Sequence, residues 1–574
     1  MSNTQTMTNY QLFLRLIGRL APYRLILTFV LSGIVLMAII YTVIPIFIKP
    51  ILDGIFVSKE HGAIQLIPLI IIAFFMAQSL SKYICNYGTN WIGSTLTSDL
   101  QTAIFNKLII LPSHYYERQT SENLVSKLLS DVIQVTQDGA KSALIFIKNI
   151  LTIIGLSTWL LYLNLELSLL ALMLTTIALL STQIICGRSH DTDEKKYQIT
   201  EDLIQVIKES TENYKTVVLN GGQQHVLQRF QDKVDQMRKF NIKNTNTTIL
   251  KESLINIVIA IALSTIFYLA IYQALIDKIT VGSSFSFIIS ILILSSSLKQ
   301  LIKENRPIQN CVAVAKDIFS VLDLETEPDK GEIIINHAQG KLRFEHVSYH
   351  SALKDFSLTI RPGEKIALVS SSDETINALI NLVPRFIQPT EGRILIDNNE
   401  ITAIKLDSLR STIGFLSQDE IPFNDSIAAN IAYGEMGYST ESKIISAAHT
   451  AHAIKFIKKM PQGMQTLIGK NGIKISKEQC QHIAIARILL KNPSILILNE
   501  ITTVQDSDSE HLIRSALEHL MRDRTTLVIT RRKETLEKVD RIIVIEKNRI
   551  IETGDHQKLL SEKGLYTKLY PLYH

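Results

Sequence analysis

The stretch LILTFVLSGIVLMAIIYTVIPIF (Leu25–Phe47) contains no charged residue and decides the fold of the N-terminal half. A membrane helix needs about 20 mostly apolar residues to cross roughly 30 Å of hydrocarbon, because lipid offers its backbone amides no hydrogen-bond partners. We therefore predict a transmembrane helix here. The polar segment before it contains Arg15, Arg19 and Arg24 and no small-residue cleavage site, which indicates a retained helix and not a signal peptide.

Five further apolar runs of similar length follow in the first half of the chain. The third and fourth runs are nearly continuous and are interrupted at Asn164 and Glu166, which favours a tight helical hairpin over one helix of twice the bilayer thickness. Six such runs exceed what the core of a soluble protein holds, so all six are predicted to span a membrane. The predicted spans are Leu25–Phe47, Leu66–Ile84, Ala143–Leu163, Leu165–Ile185, Leu254–Leu275 and Val281–Leu301.

The overall composition agrees with a membrane protein of more than one domain. The chain has 574 residues, of which 46% are hydrophobic and 20% charged, which excludes disordered, collagen-like and disulfide-stapled classes. The four cysteines have no metal-ligand spacing, so we predict reduced thiols and no zinc site. The formal charge of +5 comes from 59 basic and 54 acidic residues, and nothing in it requires a nucleic-acid partner.

The lengths and charges of the connections predict the orientation of the spans. Those after spans one, three and five are short and contain few cations, whereas the long connections 87–142 and 187–252 are helix-patterned and the second is rich in Lys and Arg. By the positive-inside rule we predict that the long connections and both termini are cytoplasmic.

From about Leu342 the chain changes to Val/Ile/Leu-rich strands that alternate with polar helices, which is typical of a soluble α/β domain. We therefore predict a transmembrane domain over 1–322, a charged and Gly-containing linker over 323–340 and an α/β domain over 341–574. The predicted buried strands are Lys365–Val369, Arg393–Ile396, Ile413–Leu416, Ile495–Leu498, Thr526–Ile529 and Arg541–Ile545.

Five segments of the chain resemble ABC exporter half-transporters. They are IKPILDGIF (Ile48–Phe56), LPSHYYERQTSENLVSKLLSD (Leu111–Asp131), FLSQDEIPFNDSIAANIAYG (Phe415–Gly434), QHIAIARILLKNPSILILNE (Gln481–Glu500) and IETGDHQKLL (Ile551–Leu560). The resemblance is strongest to the MsbA family of lipid A and phospholipid flippases of Gram-negative inner membranes. It implies six transmembrane helices in the ABC type I exporter (type IV transporter) fold and a C-terminal α/β P-loop-type nucleotide-binding domain.

The resemblance also implies a function and its partners. The expected cofactors are ATP and Mg²⁺, and the expected substrate is lipid A or a phospholipid that moves from the inner to the outer leaflet of the bacterial inner membrane. The expected assembly is a dimer of two half-transporters, because two chains build each nucleotide site. A homodimer and a heterodimer with a second half-transporter both fit.

The phosphate loop departs from the family pattern, in which a strand ends in GxxGxGK[ST]. This chain has Ser370, Ser371, Ser372, Asp373, Glu374 and Thr375 instead, and the loop is shorter and lacks both glycine and lysine. The S-x-x-E spacing of Ser371 and Glu374 predicts a capping box that satisfies the helix N-terminus internally. The alternative is a residual nucleotide loop in which hydroxyl groups replace amides and Thr375 is a weak Mg²⁺ ligand.

Three other motifs are altered at the residues that perform the chemistry. The Walker B carboxylate position is Asn499, a poorer ligand for a hard cation, although Glu500 matches the family's catalytic glutamate. The signature retains Ser476 and Gln479 on either side of two charged residues that replace glycines. Arg531 matches the switch histidine and does not exchange a proton near neutral pH.

Other residues of the family's nucleotide-binding motifs are retained in this chain. By the resemblance, Gln418 is the Q-loop glutamine, a catalytic and weak Mg²⁺ candidate, Asp506 is the D-loop aspartate, and Tyr349 stacks on adenine. Their alternative readings are a polar loop residue, a helix cap and a half-buried strand tyrosine. Survival of these residues beside altered phosphate chemistry indicates a domain that folds and docks. Because both the phosphate loop and the signature are altered, a heterodimer partner restores catalysis only in part.

The membrane half supplies candidate substrate residues. The family lines its cavity with cations that meet lipid phosphates, and the matching positions here are Lys148, Lys299, Gln78 and Ser296. Lys299 lies near a helix end, so snorkelling to the interface is an alternative role. Two hypotheses remain. The chain is an ATP-dependent lipid flippase with impaired hydrolysis, or it is an inactive pseudo-transporter that acts as a lipid-binding or regulatory partner.

Overall fold

The computed structural model describes residues 9–56, 61–119, 121–171, 173, 190–275, 280–335, 337–417, 420–470, 472–499, 507–530 and 532–569. Two compact units are present. The first comprises Met1–Ile109 and Ser121–Leu324, and the second comprises Ile110–Thr120 and Glu325–His574. The domain bounds 1–322, 323–340 and 341–574 stay a prediction.

The first unit is helical. Several of its helices are far longer than a bilayer requires; His61–Ile109 has 49 residues and therefore extends about 74 Å. Its helices include α1 (Asn9–Leu20), α2 (Arg24–Phe56), α3 (His61–Ile109), α5 (Ser121–Ser126), α6 (Gly139–Leu163), α7 (His190–Glu212), α8 (Tyr214–Leu219), α9 (Gln223–Leu275) and α10 (Val281–Leu322), with π-helical turns at Lys127–Asp131 and Gln134–Asp138.

Four helical stretches among the described residues are long and apolar enough to cross a membrane. They are Leu14–Asp53, Pro68–Ile109, Asn123–Leu163 and Val281–Leu322. They contain all or most of predicted spans one, two, three and six. Span five lies within α9, and most of span four, from 174 to 185, lies outside the described residues.

The predicted break between spans three and four is confirmed. Asn164 ends α6 in an extended conformation (φ −161°, ψ 116°). Its side-chain oxygen accepts a hydrogen bond of 3.1 Å from the amide of Leu167, so it also caps the helical residues that follow. One asparagine therefore ends one helix and begins the next.

Small residues allow the helices of the first unit to approach closely, as is typical of membrane helix packing. A Cβ atom added to Gly155 of α6 would lie 2.6 Å from the hydroxyl of Thr42 on α2. A Cβ atom on Gly282 of α10 would lie 2.4 Å from the carbonyl oxygen of Lys49. Asp53, near the end of α2, accepts a hydrogen bond of 2.9 Å from the Gly282 amide and so caps α10.

The second unit contains two main sheets. The first has four strands in the order β2-β1-β4-β5, and the second has six in the order β12-β11-β3-β10-β9-β6 with a parallel centre. The strands are β1 (Leu342–Tyr349), β2 (Leu353–Ile360), β3 (Lys365–Ser370), β4 (Glu391–Ile396), β5 (Asn399–Glu400), β6 (Ile413–Leu416), β7 (Asp425–Ser426), β8 (Leu467–Ile468), β9 (Ile495–Asn499), β10 (Thr525–Ile529), β11 (Arg541–Glu546) and β12 (Arg549–Gly554).

All six predicted strands are present. Five of them lie in the six-stranded sheet, whereas the predicted strand Arg393–Ile396 belongs to β4 in the antiparallel sheet. The central strands are buried on both faces, as in parallel sheets covered by helices. The helices of the second unit are α4 (Ser113–Arg118), α11 (Asp373–Leu382), α12 (Leu406–Ser411), α13 (Ile427–Ile431), α14 (Glu441–Thr450), α15 (Ile454–Ile457), α16 (Lys477–Lys491), α17 (Ser507–Met521), α18 (Lys533–Leu536), α19 (His556–Ser561) and α20 (Leu565–Leu569).

A segment from the N-terminal half belongs to the second unit. The hydroxyl of Ser113 in α4 donates a hydrogen bond of 2.8 Å to the carbonyl of Phe386. The amide of Glu327 donates to the carbonyl of Ile110 at 3.2 Å. These contacts tie α4 to the α/β unit.

Candidate nucleotide and lipid sites

The turn between β3 and α11 is where the phosphate loop is expected. Only Ser371 and Ser372 connect the end of the strand to the first helical residue. The hydroxyl of Ser372 caps the helix and accepts from the amide of Thr375 at 3.4 Å. The predicted capping box of Ser371 and Glu374 is therefore wrong. Ser371 is exposed, and Glu374 has a partner outside the helix, because its carboxylate accepts from the hydroxyl of Ser351 at 3.0 Å.

Several polar groups of this turn bond to the protein itself. The amide of Ser372 donates to the hydroxyl of Ser370 at 3.1 Å. The hydroxyl of Thr375, a residue only 1% exposed, donates to the carbonyl of Ala352 at 3.0 Å. A P-loop holds phosphate with free amides and holds Mg²⁺ with a free hydroxyl. In this turn the amides of Ser372 and Thr375 and the hydroxyl of Thr375 already have protein partners.

The turns of two β-hairpins contact the N-terminus of α11. Asn548, in the turn between β11 and β12, donates from its side-chain amide to the carbonyl of Ser351. Its side-chain oxygen lies 3.4 Å from the Thr375 hydroxyl, and its main-chain carbonyl accepts from the amide of Lys354 at 3.1 Å. We call Ser351, Ala352, Glu374, Thr375 and Asn548 the hairpin latch. It joins the β1–β2 and β11–β12 turns to the start of α11.

Tyr349 lies at the end of β1, directly before the latch. Its carbonyl accepts from the amide of Ala352 at 3.0 Å, which makes the hairpin turn tight. Its ring is half-buried against the hydrophobic core, and its centroid lies 4.6 Å from that of His350. The structure thus fits the half-buried strand tyrosine, while the adenine-stacking role stays a prediction.

Of the remaining candidate residues for nucleotide binding and hydrolysis, one lies within the described residues and four lie outside them. Asn499 is half-buried at the end of β9 and pairs with Ile529 of β10. Glu500, Asp506, Arg531 and Gln418 lie outside the described residues.

The surviving signature residues bond to each other. The hydroxyl of Ser476 accepts from the amide of Gln479 at 3.2 Å, and the Gln479 side-chain oxygen accepts from the amide of Ser476 at 3.0 Å. This reciprocal pair is a capping box at the start of α16. The S-x-x-Q spacing could have predicted it, because that pattern before a helix is a capping signature.

Two of the four lipid candidates form part of one cluster in the first unit. The Lys148 ammonium lies 3.4 Å from the side-chain oxygen of Gln300 and 5.6 Å from the ring centroid of Tyr41. Gln78 donates from its side-chain amide to the Tyr41 hydroxyl at 3.2 Å. Sequence reasoning did not single out Tyr41 or Gln300, because the four residues come from four different helices and share no local spacing.

The other two lipid candidates lie elsewhere on the described surface. Lys299 donates to the side-chain oxygen of Asn256 on α9 at 2.9 Å. Ser296 is exposed and lies one helical turn before Gln300 on α10. The structure therefore brings Gln78 and Lys148 together around Tyr41, whereas the Lys299 side chain bonds to Asn256.

Both halves of the chain match the models of known protein families. Residues 26–298 match the model of the ABC transporter transmembrane region, and residues 353–503 match that of the ABC transporter. The ATP-dependent lipid A-core flippase of Thiobacillus denitrificans is 38% identical over 571 residues, which cover 98% of this chain and 99% of the relative. This chain belongs to the lipid A-core flippase family of ABC transporters.

Other members of this flippase family agree over nearly the same length. The ATP-dependent lipid A-core flippase of Nitrosococcus oceani is 36% identical over 97% of this chain and 94% of its own length. The ATP-dependent lipid A-core flippase of Dechloromonas aromatica is 36% identical over 98% of this chain and 98% of its own length. The resemblance to the MsbA family and the two-part ABC exporter fold are thereby confirmed. The roles of the individual site residues stay predictions.

Proposed function

We propose that this chain is one half of a lipid flippase in the bacterial inner membrane, which moves lipid A or a phospholipid from the inner to the outer leaflet. Family members named lipid A-core flippases match almost the whole chain at 30–38% identity, and this observation carries the proposal. The Lys148 cluster supports it, because a cation within a membrane helix marks a substrate path more often than a packing role. Both termini and the α/β unit are cytoplasmic in this proposal.

The working unit is a homodimer, since an ABC nucleotide site needs the phosphate loop of one chain and the signature of another. A heterodimer with another half-transporter is the alternative. In either assembly, one composite site contains the β3–α11 turn of this chain. The other contains its Ser476–Gln479 capping box.

ATP with Mg²⁺ is the cofactor that the matched ABC transporter domain binds in the family generally. The residues of this chain do not fit a magnesium triphosphate well. The Ser372 and Thr375 amides bond to Ser370 and Ser372, and the Thr375 hydroxyl bonds to Ala352. Glu374 adds a negative charge where phosphate charge is expected. We therefore propose that ATP hydrolysis by this chain is impaired.

The test of transport uses the purified full chain in proteoliposomes. A fluorescent phospholipid reports the leaflet that it occupies through its accessibility to a membrane-impermeant reductant. We expect MgATP-dependent translocation at a low rate, together with lipid-stimulated ATP hydrolysis that Glu500→Gln abolishes. Translocation no faster than in protein-free liposomes, with or without MgATP, would contradict the flippase function.

A second candidate is favoured by the hairpin latch: a pseudo-transporter that does not bind nucleotide and acts as a lipid-binding or regulatory partner subunit. Its test is equilibrium MgATP binding to the full chain in lipid nanodiscs. The positive control is a variant in which residues 370–375 are replaced by a glycine-rich loop with a lysine. Binding by the control alone supports this candidate. Micromolar, saturable binding by the unchanged chain rejects it.

A further inference from the structure

A cleft in the second unit lies between α17 and α18, at the carboxyl ends of β9 and β10. Its floor consists of the buried core residues Leu498, Ile513 and Val528, and Leu517 and Met521 line one side. The cleft has a volume of about 60 Å³. One water needs about 10–15 Å³, so there is room for an apolar group of about four or five carbon atoms. The described residues that line the cleft include no member of the hairpin latch.

One face of α17 forms the apolar side of the cleft. Ile513, Leu517 and Met521 follow one another at intervals of four residues, which places them on the same side of the helix. Val539, which follows α18, also lines the cleft and packs against the same core. Because Leu517, Met521 and Val539 are only half-buried, a ligand that covers them removes apolar surface from water and gains free energy of binding.

The charged residues that line the cleft differ in exposure. Arg514 and Arg532 are half-buried, whereas Glu518, Glu534 and Lys538 are exposed. The Lys538 ammonium lies 2.5 Å from the Glu518 carboxylate, so these two exposed charges largely balance each other. Charges that are partly shielded from water interact more strongly with a ligand than exposed ones. Among the described residues of the cleft, the less exposed charges are therefore positive.

We propose that this cleft binds a small amphiphilic anion, a short-chain carboxylate whose hydrocarbon part covers Leu517 and Met521 and whose carboxylate meets Arg514 and Arg532. Guanidinium groups bind carboxylates through charge-assisted, bidentate hydrogen bonds. A neutral ligand of the same shape does not gain these bonds, and the half-buried arginines repel a cation. Since the cleft includes neither the latch nor the lipid candidates, this proposal does not rest on the flippase function.

The test follows the methyl group of Met521 by NMR in the full chain, labelled at its methionine methyls and embedded in nanodiscs. Met521→Leu identifies the signal, and Met464, which packs against the same core outside the cleft, is the internal reference. The probes are hexanoate, hexanamide, hexylamine and acetate. We expect hexanoate to shift the Met521 signal saturably and to bind about tenfold more tightly than hexanamide or hexylamine. Acetate lacks the apolar part and binds more weakly than hexanoate.

Three outcomes of this titration would overturn the proposal. Equal affinities for hexanoate, hexanamide and hexylamine would reject the selection of an anion. The absence of a saturable shift at Met521, or equal shifts at Met521 and Met464, would reject the site itself. Displacement of hexanoate by MgATP would assign the cleft to the nucleotide site.

Two variants, each with a control, test the residues. Arg514→Gln removes one guanidinium, so we expect hexanoate affinity to fall about tenfold and hexanamide affinity to change by less than about twofold. Leu517→Trp fills the cleft, so we expect it to abolish binding, and an unshifted Met464 signal shows that the variant is folded. Arg522→Gln and Ile551→Trp make the same changes at exposed positions and leave hexanoate affinity unchanged. Hexanoate affinity within about twofold of the unchanged chain in Arg514→Gln, or in folded Leu517→Trp, would overturn the proposal.

Discussion

The polar groups that could meet an anionic ligand are arranged differently in the two halves of the chain. In the membrane half, Lys148 lies among neutral side chains from other helices, and no described carboxylate pairs with it. In the nucleotide half, the Ser372 amide and the Thr375 hydroxyl of the β3–α11 turn bond to neighbouring protein groups, and the Glu374 carboxylate lies near them. The difference suggests that the lipid function and the nucleotide function of one chain are separable.

The largest effect of a single substitution is expected at Arg385 in the nucleotide half. Its guanidinium is 3% exposed and donates to the carbonyls of Ile401, Ile404 and Pro328 at 3.1, 3.2 and 2.5 Å. Arg385→Leu leaves these buried carbonyls without their donor, so we expect this unit to lose about 3–5 kcal/mol of stability.

Thermal unfolding of the full chain in nanodiscs, followed by the loss of protease resistance of the second unit as the temperature rises, measures this loss. Arg361→Leu, at an exposed position in the same unit, is the control. An unchanged melting temperature in Arg385→Leu would show that the second unit does not depend on this network.

A smaller effect is expected at the helix contact beside the lipid cluster. Gly155 of α6 faces Thr42, the neighbour of Tyr41, and has no room for a side chain. Gly155→Val forces α2 and α6 apart, so we expect a loss of about 1–3 kcal/mol and weaker binding of anionic lipid, because Tyr41 moves away from Lys148. Native mass spectrometry and thermal unfolding measure the two effects. Gly18→Ala is the control, since an added Cβ atom there meets nothing within 4 Å. Unchanged lipid affinity in Gly155→Val would show that lipid binding does not depend on the close contact between α2 and α6.

The hairpin latch provides a third and smaller effect. Thr375→Val keeps the shape of the side chain but removes the hydroxyl that donates to Ala352, so we expect a loss of about 1–2 kcal/mol in the nucleotide half. Thr359→Val, at an exposed position of β2, is the matched control. If the two variants unfold at the same temperature, the latch does not stabilise the fold and the turn is more open to ligands than its contacts indicate.

Local patterns predicted the elements of this fold but not the partners within its sites. The six strands and the helix break at Asn164 follow from apolar runs and turn residues that neighbour each other in sequence. The capping residue was misassigned because three consecutive serines offer competing spacings, and because the partner of Glu374, Ser351, lies 23 positions away. Tyr41 and Gln300 were missed for the same reason, since helix packing alone brings them to Lys148.

The smallest effect concerns pH and the signature helix α16. His482 is buried there, and its Nδ1 lies 2.6 Å from the carbonyl oxygen of Ala451, an arrangement that a neutral imidazole satisfies by donating from Nδ1. Burial lowers the pKa of His482 below its ordinary value, so the folded state favours the neutral ring. Its stabilising contribution is therefore complete above the unfolded pKa of about 6.5 and is lost as the pH falls below it. We expect the nucleotide half to melt about 1–3 °C lower at pH 5.5 than at pH 7.5.

His482→Asn retains a donor without a titrating ring and should reduce this difference, whereas His519→Asn, at an exposed histidine, should not. An equal pH dependence in His482→Asn and the unchanged chain would assign the effect to other groups.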